Sequence, residues 1–460
     1  MTKDLRRPVS NAAKRAAAER GGITVLSLQM LIASLVIGGL AVDVGNGFQA
    51  FTQLQATADS AAHAALWSRE WNSADAAKTK AIQIATNMMP ESRYGEVLKP
   101  EDIVFGKWDE DAGTFTADPT SKTAVFVSTR RYESQDNALG TWFLRLAGKD
   151  ELDVASGSIW ETYYASCFRE GIVAQGRVDT QSNNNYEPGY CIHSQDHVEI
   201  NSNNVFQTGV IVSMPDKSDV IIPSSGFESN SGLRQALRDG SYALRILDRI
   251  GKIEQGILNP NDSKYGIMNA NSPYYRSYIT NKTVIGVNAQ GKTELDPSKF
   301  KQGRIHYVDC KNDNQHKQIK GDWMRKMVIV TDCKIQFGND STAEEASSLE
   351  DVVFLNTNTD AKSFYGRSNV RFGKNDHCTA GGDVQILTKG SINLASGIYV
   401  YGSQFIAAGD IYATANADGI EGSSFVAGGE ASITSNGSFG FCAGEGMANN
   451  YEAPYFRMVR

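Results

Sequence analysis

From Ile23 to Val42, twenty successive positions carry no charged residue and are dominated by Leu, Ile, Val and Ala. At 1.5 Å per helical residue this stretch spans roughly 30 Å, the thickness of a bilayer's hydrocarbon layer. Lipid offers no partner to backbone N–H and C=O groups, so the stretch is predicted to be a transmembrane helix. Past it, Phe51, Leu54, Ala58, Ala61, Ala65 and, less regularly, Leu66 form an apolar stripe at helical spacing. The helix is therefore expected to continue to about residue 70. Gly45 and Gly47 are expected to loosen the junction, each costing about 1 kcal/mol against alanine.

Ala77, Ala81, Ile84 and Met88 mark a second helix that ends at Pro90. Strand patterns follow at 103–108, 114–117, 124–130 and 152–164. Between the last two, Leu139, Phe143 and Leu146 predict a short helix over 137–147 with those side chains turned inward. These elements make an α+β module over 71–180. The Asn- and Gly-rich stretch 181–189 reads as a linker or turn region.

The distal body has a different rhythm. After Cys191, residues up to Val212 place three very short strands between polar turns, and a similar series follows Cys378 and runs to Phe441. Gly382-Asp383-Val384 recurs 27 positions later as Gly409-Asp410-Ile411, and then 20 later as Gly429-Glu430-Ala431. Three-residue strands bury too little alone, but stacked in parallel their Val, Ile and Phe side chains line one continuous core. The expected fold class is α+β with a mainly β distal body, an irregular right-handed parallel β-helix-like solenoid. Its first coil is placed at 190–215 and the rest at 376–445, with 446–460 as a tail. A jelly roll or sandwich is the rival, though it uses strands of about 5–6 residues. Between the two series, Leu233, Leu237, Leu244, Leu247 and Ile250 show helical periodicity, and short mixed strands follow. Residues 216–375 are therefore expected to be an insertion, with Cys310 and Cys333 as a local pair.

Charge fixes an expected orientation. The net charge is −7, yet residues 1–22 hold six basic residues against two acidic ones, a net of +4 that leaves −11 for the rest. A basic leader stays in the cytoplasm, which makes 1–22 a cytoplasmic leader, 23–70 the anchor with its extension, and Asp43 the start of the exported side. An acidic body with no basic stripe excludes nucleic acid as a partner class. All six cysteines fall beyond the span, where disulfides form, and no CxxC pair suggests zinc or thiol exchange. Three other readings of the span are a cleaved signal peptide, prepilin-type cleavage after Gly22 and a buried helix of a soluble domain. The apolar run is long for the first, and Ser27 stands where the second wants Glu.

The run Ala41-Val42-Asp43-Val44-Gly45, followed by Leu54-Gln55-Ala56-Thr57-Ala58-Asp59-Ser60-Ala61-Ala62, resembles the amino-terminal segment of TadE/TadG-like proteins of the tight-adherence (Flp) pilus apparatus. The likeness covers roughly residues 20–66. It implies a single-pass bacterial inner-membrane protein anchored through Ile23 to Val42, a periplasmic body, and pilus-assembly proteins as partners. Many TadG-like proteins carry an Asp-x-Ser-x-Ser metal loop, and this sequence has none.

Candidate chemistry is sparse. His193, Asp196 and His197 form the densest histidine–carboxylate group, with Asp376-His377-Cys378 a smaller one, but His193 and His197 share strand parity while Asp196 does not. Asp196, Asp383 and Asp410 are the carboxylates that a polysaccharide-active β-helix would use, and solenoid turns place Asp there for conformational reasons alone. No hydrolase, metalloprotease, phosphate or dinucleotide motif is present. The expectation is a non-enzymatic protein without cofactor, catalytic or metal residues, working through protein contacts. A glycan-binding solenoid face is the alternative, followed by a carbohydrate-active enzyme.

Overall fold

The computed structural model describes residues 11–338, 347–367, 370–394, 397–413, 420–433, 435–442 and 445–460; the first ten residues of the expected leader lie outside them. The chain forms two units, Met1–Tyr163 with Pro454–Arg460, and Tyr164–Ala453.

In the first unit, helix α1 (Asn11–Arg69) runs unbroken through Gly45 and Gly47. Over 23–42 its side chains are exposed almost throughout, as a lipid-facing helix requires and a soluble core helix does not. Farther along, Leu54, Ala58, Ala61, Ala62, Ala65 and Leu66 are fully buried. Leu54 packs with Met89 and Val97, and the other five pack against Ala77, Ala81 and Ala85 of helix α2 (Ala74–Met88) and against Ile103, Phe105, Val125 and Val127 of a sheet. Alanine on both helices lets the backbones approach closely. Phe51, expected on this stripe, stays 44% exposed.

The sheet is antiparallel, ordered Thr114–Ala117, Ile103–Asp109, Ala124–Arg131, Val154–Tyr163 and Tyr455–Met458. The final strand corrects the expected tail, because Tyr455–Met458 pairs with Trp160–Tyr163. The helix expected over 137–147 is also absent. Leu139–Gly140 pairs with Glu151–Leu152, and the turn Leu144–Ala147 closes the hairpin. Asn137 spends its side chain on backbone, accepting the Tyr132 N–H and donating to Glu96 O, which competes with helix formation.

The second unit is a parallel β-solenoid. Its eight-stranded ladder consists of three-residue strands such as Val178–Thr180, Val198–Ile200, Ile392–Leu394 and Ile411–Ala413, and in these four the outer two residues are buried and the middle one is half-buried. In the main ladder, hydrogen-bonded register stacks Ile329, Phe354, Ile386, Phe405, Phe425, Ile172, Ile192 and Val212 in one column. That column crosses the chain out of sequence order. Coils beginning at Gly171, Cys191 and Ile211 wind toward one end, where Leu237–Asp239 is the last strand. The chain then returns to the opposite end, restarts at Val284–Asn288 and winds back until Ser424–Ala427 pairs with Gly171–Ala174. The solenoid is thus entered and left in its middle. Ten steps of about 4.8 Å separate the terminal strands of this path, so the return crosses roughly 48 Å.

This order corrects two expected boundaries. Residues 216–375 are not an insertion, because the strands Ile305–Asp309, Met324–Thr331 and Ser347–Asn356 are coils of the same ladder. The irregular part is the return itself, which includes the helix Ile250–Leu258 with Ile250, Ile253 and Ile257 buried. Nor is 181–189 a linker. Asn184 Oδ1 accepts the Gly437 N–H (2.7 Å), Asn204 Oδ1 that of Asn184 (2.9 Å), and Asn230 Oδ1 that of Asn204 (3.0 Å). This asparagine ladder satisfies backbone groups at one corner of four coils. The recurrence at 27 positions is not a coil repeat either, since Ile411 pairs with Ile392 and Ala431, while Val384 pairs with Ser403.

Candidate functional site

The residues singled out for chemistry do not converge. His193 is fully buried, its Nδ1 2.8 Å from Ser213 Oγ and its ring edge-on to Tyr242. Burial holds its pKa down at about 4, against the opposing hydrogen bonds of Gln195 and Ser213. His197 Nδ1 instead faces Asp196 Oδ2 at 3.0 Å near the surface. Asp383 is buried and accepts from Asn449 Nδ2 (3.0 Å) and Gln385 Nε2 (3.2 Å). Asp410 Oδ1 accepts the Glu430 N–H of the next coil (2.8 Å), a turn role. Cys378 is bonded to Cys442, and His377 projects into solvent.

Cys310, Asp332 and Cys333 bring two sulfurs and a carboxylate together, but the sulfurs form a disulfide and Asp332 Oδ1 accepts the Cys310 N–H (2.7 Å). A bridged pair has no thiolate to offer a metal. This bridge is the local pair anticipated from sequence. A polar recess of about 520 Å³ lies beside Arg325, Glu350, Asp351, Lys374 and Asp376. Two ion pairs lie within it, Arg325 with Glu350 at 3.6 Å and Lys374 with Asp376 at 3.4 Å, while Asp351 Oδ1 accepts the Gly382 N–H (2.7 Å).

The most constructed arrangement lies where α1 leaves its apolar stretch. Asp43 is buried, and its carboxylate accepts three consecutive backbone N–H groups: Trp142 on Oδ1 (2.8 Å), Phe143 on Oδ2 (2.8 Å) and Leu144 on Oδ2 (2.6 Å). Burial alone raises the carboxyl's pKa; the donors from Trp142, Leu144 and Phe143 overcome it and hold the group below its ordinary value. Gly39, one turn earlier, makes room for the Phe143 ring, which would clash with any Cβ at that position. The sequence points to Asp43 as a boundary but not to its partner loop, because helical spacing turns Phe143 and Leu146 inward. In the structure Trp142 is 69% and Leu146 85% exposed.

The second half of the motif fixes the outer part of α1. Gln55 Nε2 donates to Asp59 Oδ1 (2.8 Å), and its Oε1 accepts from Ser156 Oγ. Thr129 Oγ1 donates to Leu54 O (2.9 Å). Val44 and Phe48 remain exposed just past the apolar stretch, in line with half-exposed Phe51.

Comparison with known proteins assigns these regions separately. Residues 171–443 match the family model described as Domain of unknown function (DUF7867), and residues 21–77 match the model described as Putative Flp pilus-assembly TadE/G-like. The first match begins and ends with the solenoid's coils. The second covers α1 from residue 21 and the first turn of α2. No curated protein and no solved structure matches the chain.

Proposed function

From the premise that the chain belongs to the DUF7867 family and carries a TadE/G-like segment ahead of that domain, we propose that it is a single-pass, membrane-anchored component of pilus assembly or surface attachment. It acts through protein contacts, not catalysis. The observation that supports this most directly is the coincidence of the TadE/G-like match with one continuous helix, exposed and apolar over 23–42 and locked into a folded module over 54–66. That build suits a tether that passes position and load from membrane to body. The basic leader supports an orientation with the amino terminus in the cytoplasm and the body in the periplasm. Three bridges in the solenoid, Cys167–Cys191, Cys310–Cys333 and Cys378–Cys442, suit that oxidising compartment.

Val44, Phe48 and Phe51, spaced four and three apart, give one exposed helical stripe for a partner. The test is co-purification from membranes of cells carrying the tagged full chain, combined with deletion of its gene. Pilus-assembly proteins should co-purify, their recovery should fall with Phe48→Ala and Phe51→Ala together, and piliation should be lost on deletion. Normal piliation with no such partner recovered would refute the assignment.

A further inference from the structure

We propose that the hairpin tip Trp142–Ala147 is a second membrane-embedded element, dipping into the leaflet on the body's side of the bilayer beside α1. The inference uses the membrane span but not the pilus assignment.

The span itself sets the depth. Ile32, Leu35, Val36 and Leu40 of α1 form one wall of an apolar recess of about 400 Å³, and Phe143, Leu144, Leu146 and Ala147 of the tip form the other. Those α1 residues lie 3 to 11 positions before Asp43, or roughly 5 to 16 Å down the helix axis at 1.5 Å per residue. One leaflet's hydrocarbon is about 15 Å thick. If residues 23–42 cross the bilayer, whatever packs beside residues 32–40 stands in hydrocarbon.

The tip has the chemistry for that place. Trp142, Phe143 and Leu146 are exposed on a folded module, where water penalises such side chains and lipid favours them. Non-helical backbone enters lipid only when its polar groups are satisfied. Here Asp43 takes the N–H groups of Trp142, Phe143 and Leu144. The Leu146 N–H reaches Phe143 O (3.0 Å), Gly148 reaches Arg145 O (3.0 Å), and Lys149 reaches Leu144 O (3.1 Å). Gly148 supplies the left-handed conformation (φ 81°) that turns the chain back out. Arg145 and Lys149 have long stems that carry their charges up to headgroup phosphates.

Lipid, not a partner helix, is the occupant argued for, because the exposed tip is continuous with a helix face that must itself meet acyl chains. The experiment reconstitutes the full chain in nanodiscs of lipid brominated at mid-chain and compares it with Leu146→Trp, Trp142→Phe and, as a control beyond the span, Trp67→Phe. The added emission of Leu146→Trp should lose its greater part to bromine and little to aqueous acrylamide. Trp142→Phe should reduce the emission that bromine removes from the parent, and Trp67→Phe should leave that quenched emission unchanged while lowering the total. Acrylamide quenching of Leu146→Trp without bromine quenching overturns the proposal, since the tip is then in water. Protection from both quenchers also overturns it, since protein then covers the tip. Circular dichroism matching the parent confirms that each variant is folded. Extraction of the parent by alkaline carbonate would remove the span itself, a failure separate from that of the tip.

Discussion

At the scale of the residue, Asp43 joins the anchor to the hairpin through three charge-assisted hydrogen bonds. Asp43→Ala should leave α1 intact and free the tip: amide exchange at Trp142, Phe143 and Leu144 should accelerate by about tenfold or more, as expected for lost bonds to a charged acceptor. The pH dependence follows from the lowered pKa. A carboxyl depressed in the folded state favours attachment at every pH above its ordinary value, and that contribution fades as pH falls through the lowered value. Mildly acidic buffer should therefore leave the three amides protected, and only stronger acid should release them. His193 shares the lowered pKa, but here burial favours the neutral form. It is buried neutral with a pKa of about 4 against an ordinary 6.5, so its contribution is full above 6.5 and is lost as pH falls toward 4. Chemical denaturation should show about 3 kcal/mol less stability at pH 4 than at pH 7 from this residue, and His193→Gln should flatten that slope. Asn204 serves three bonds at a buried corner, with Nδ2 to Asn201 O, Oδ1 from Asn184 N–H and its own N–H to Asn230. Asn204→Ala should cost about 1–3 kcal/mol in urea denaturation, because it leaves buried backbone groups without partners.

At the scale of the element, what was legible depended on whether a local pattern had a local cause. The apolar run 23–42 and the alanine stripe 54–65 each state their surroundings directly, one lipid and the other a close-packed helix. In the module, the strand Ala124–Arg131 likewise alternates over Val125–Arg130 as a half-buried sheet demands. The hairpin tip failed because Leu139, Phe143 and Leu146 keep helical spacing for unrelated reasons: Leu139 is core, whereas Phe143 and Leu146 face outward beside α1. Sequence spacing cannot separate a core face from a lipid face, since both select the same side chains. Asp43 was readable as a boundary but not as a clasp, because its donors lie about a hundred residues away. The disulfide Cys310–Cys333 joins adjacent coils of the ladder over a separation of 23 residues. Replacing both cysteines by serine should lower stability by roughly 3 kcal/mol, read as a shift of the denaturation midpoint.

At the scale of the whole domain, short strands in a series told of stacked coils, but their spatial order was invisible. A solenoid usually keeps neighbours in sequence as neighbours in space, and this expectation made 216–375 look like an insertion. Here the first and last coils meet instead. Gly171–Ala174 pairs with Ser424–Ala427, Tyr190 OH lies 2.9 Å from Ser423 Oγ, and Ser424 Oγ donates to Phe168 O (2.8 Å). Arg177 bridges Glu199 and Glu430 at 2.8 and 3.0 Å, and buried Glu170 accepts the Cys442 N–H at 2.6 Å. These contacts make the middle of the stack depend on both ends of the domain sequence. In a solenoid whose coils contact only neighbours, damage spreads to the nearest coils in space. Phe425→Ala removes a fully buried ring stacked 4.9 Å from Phe405, and should cost about 3–5 kcal/mol. Native-state hydrogen exchange should then show protection falling together at 420–427 and at 171–174, more than 240 residues earlier. The strand 284–288 at the far end should change least. Loss confined to 420–433, with 171–174 still protected, would mean that the two halves hold independently and that the central ladder does not join them.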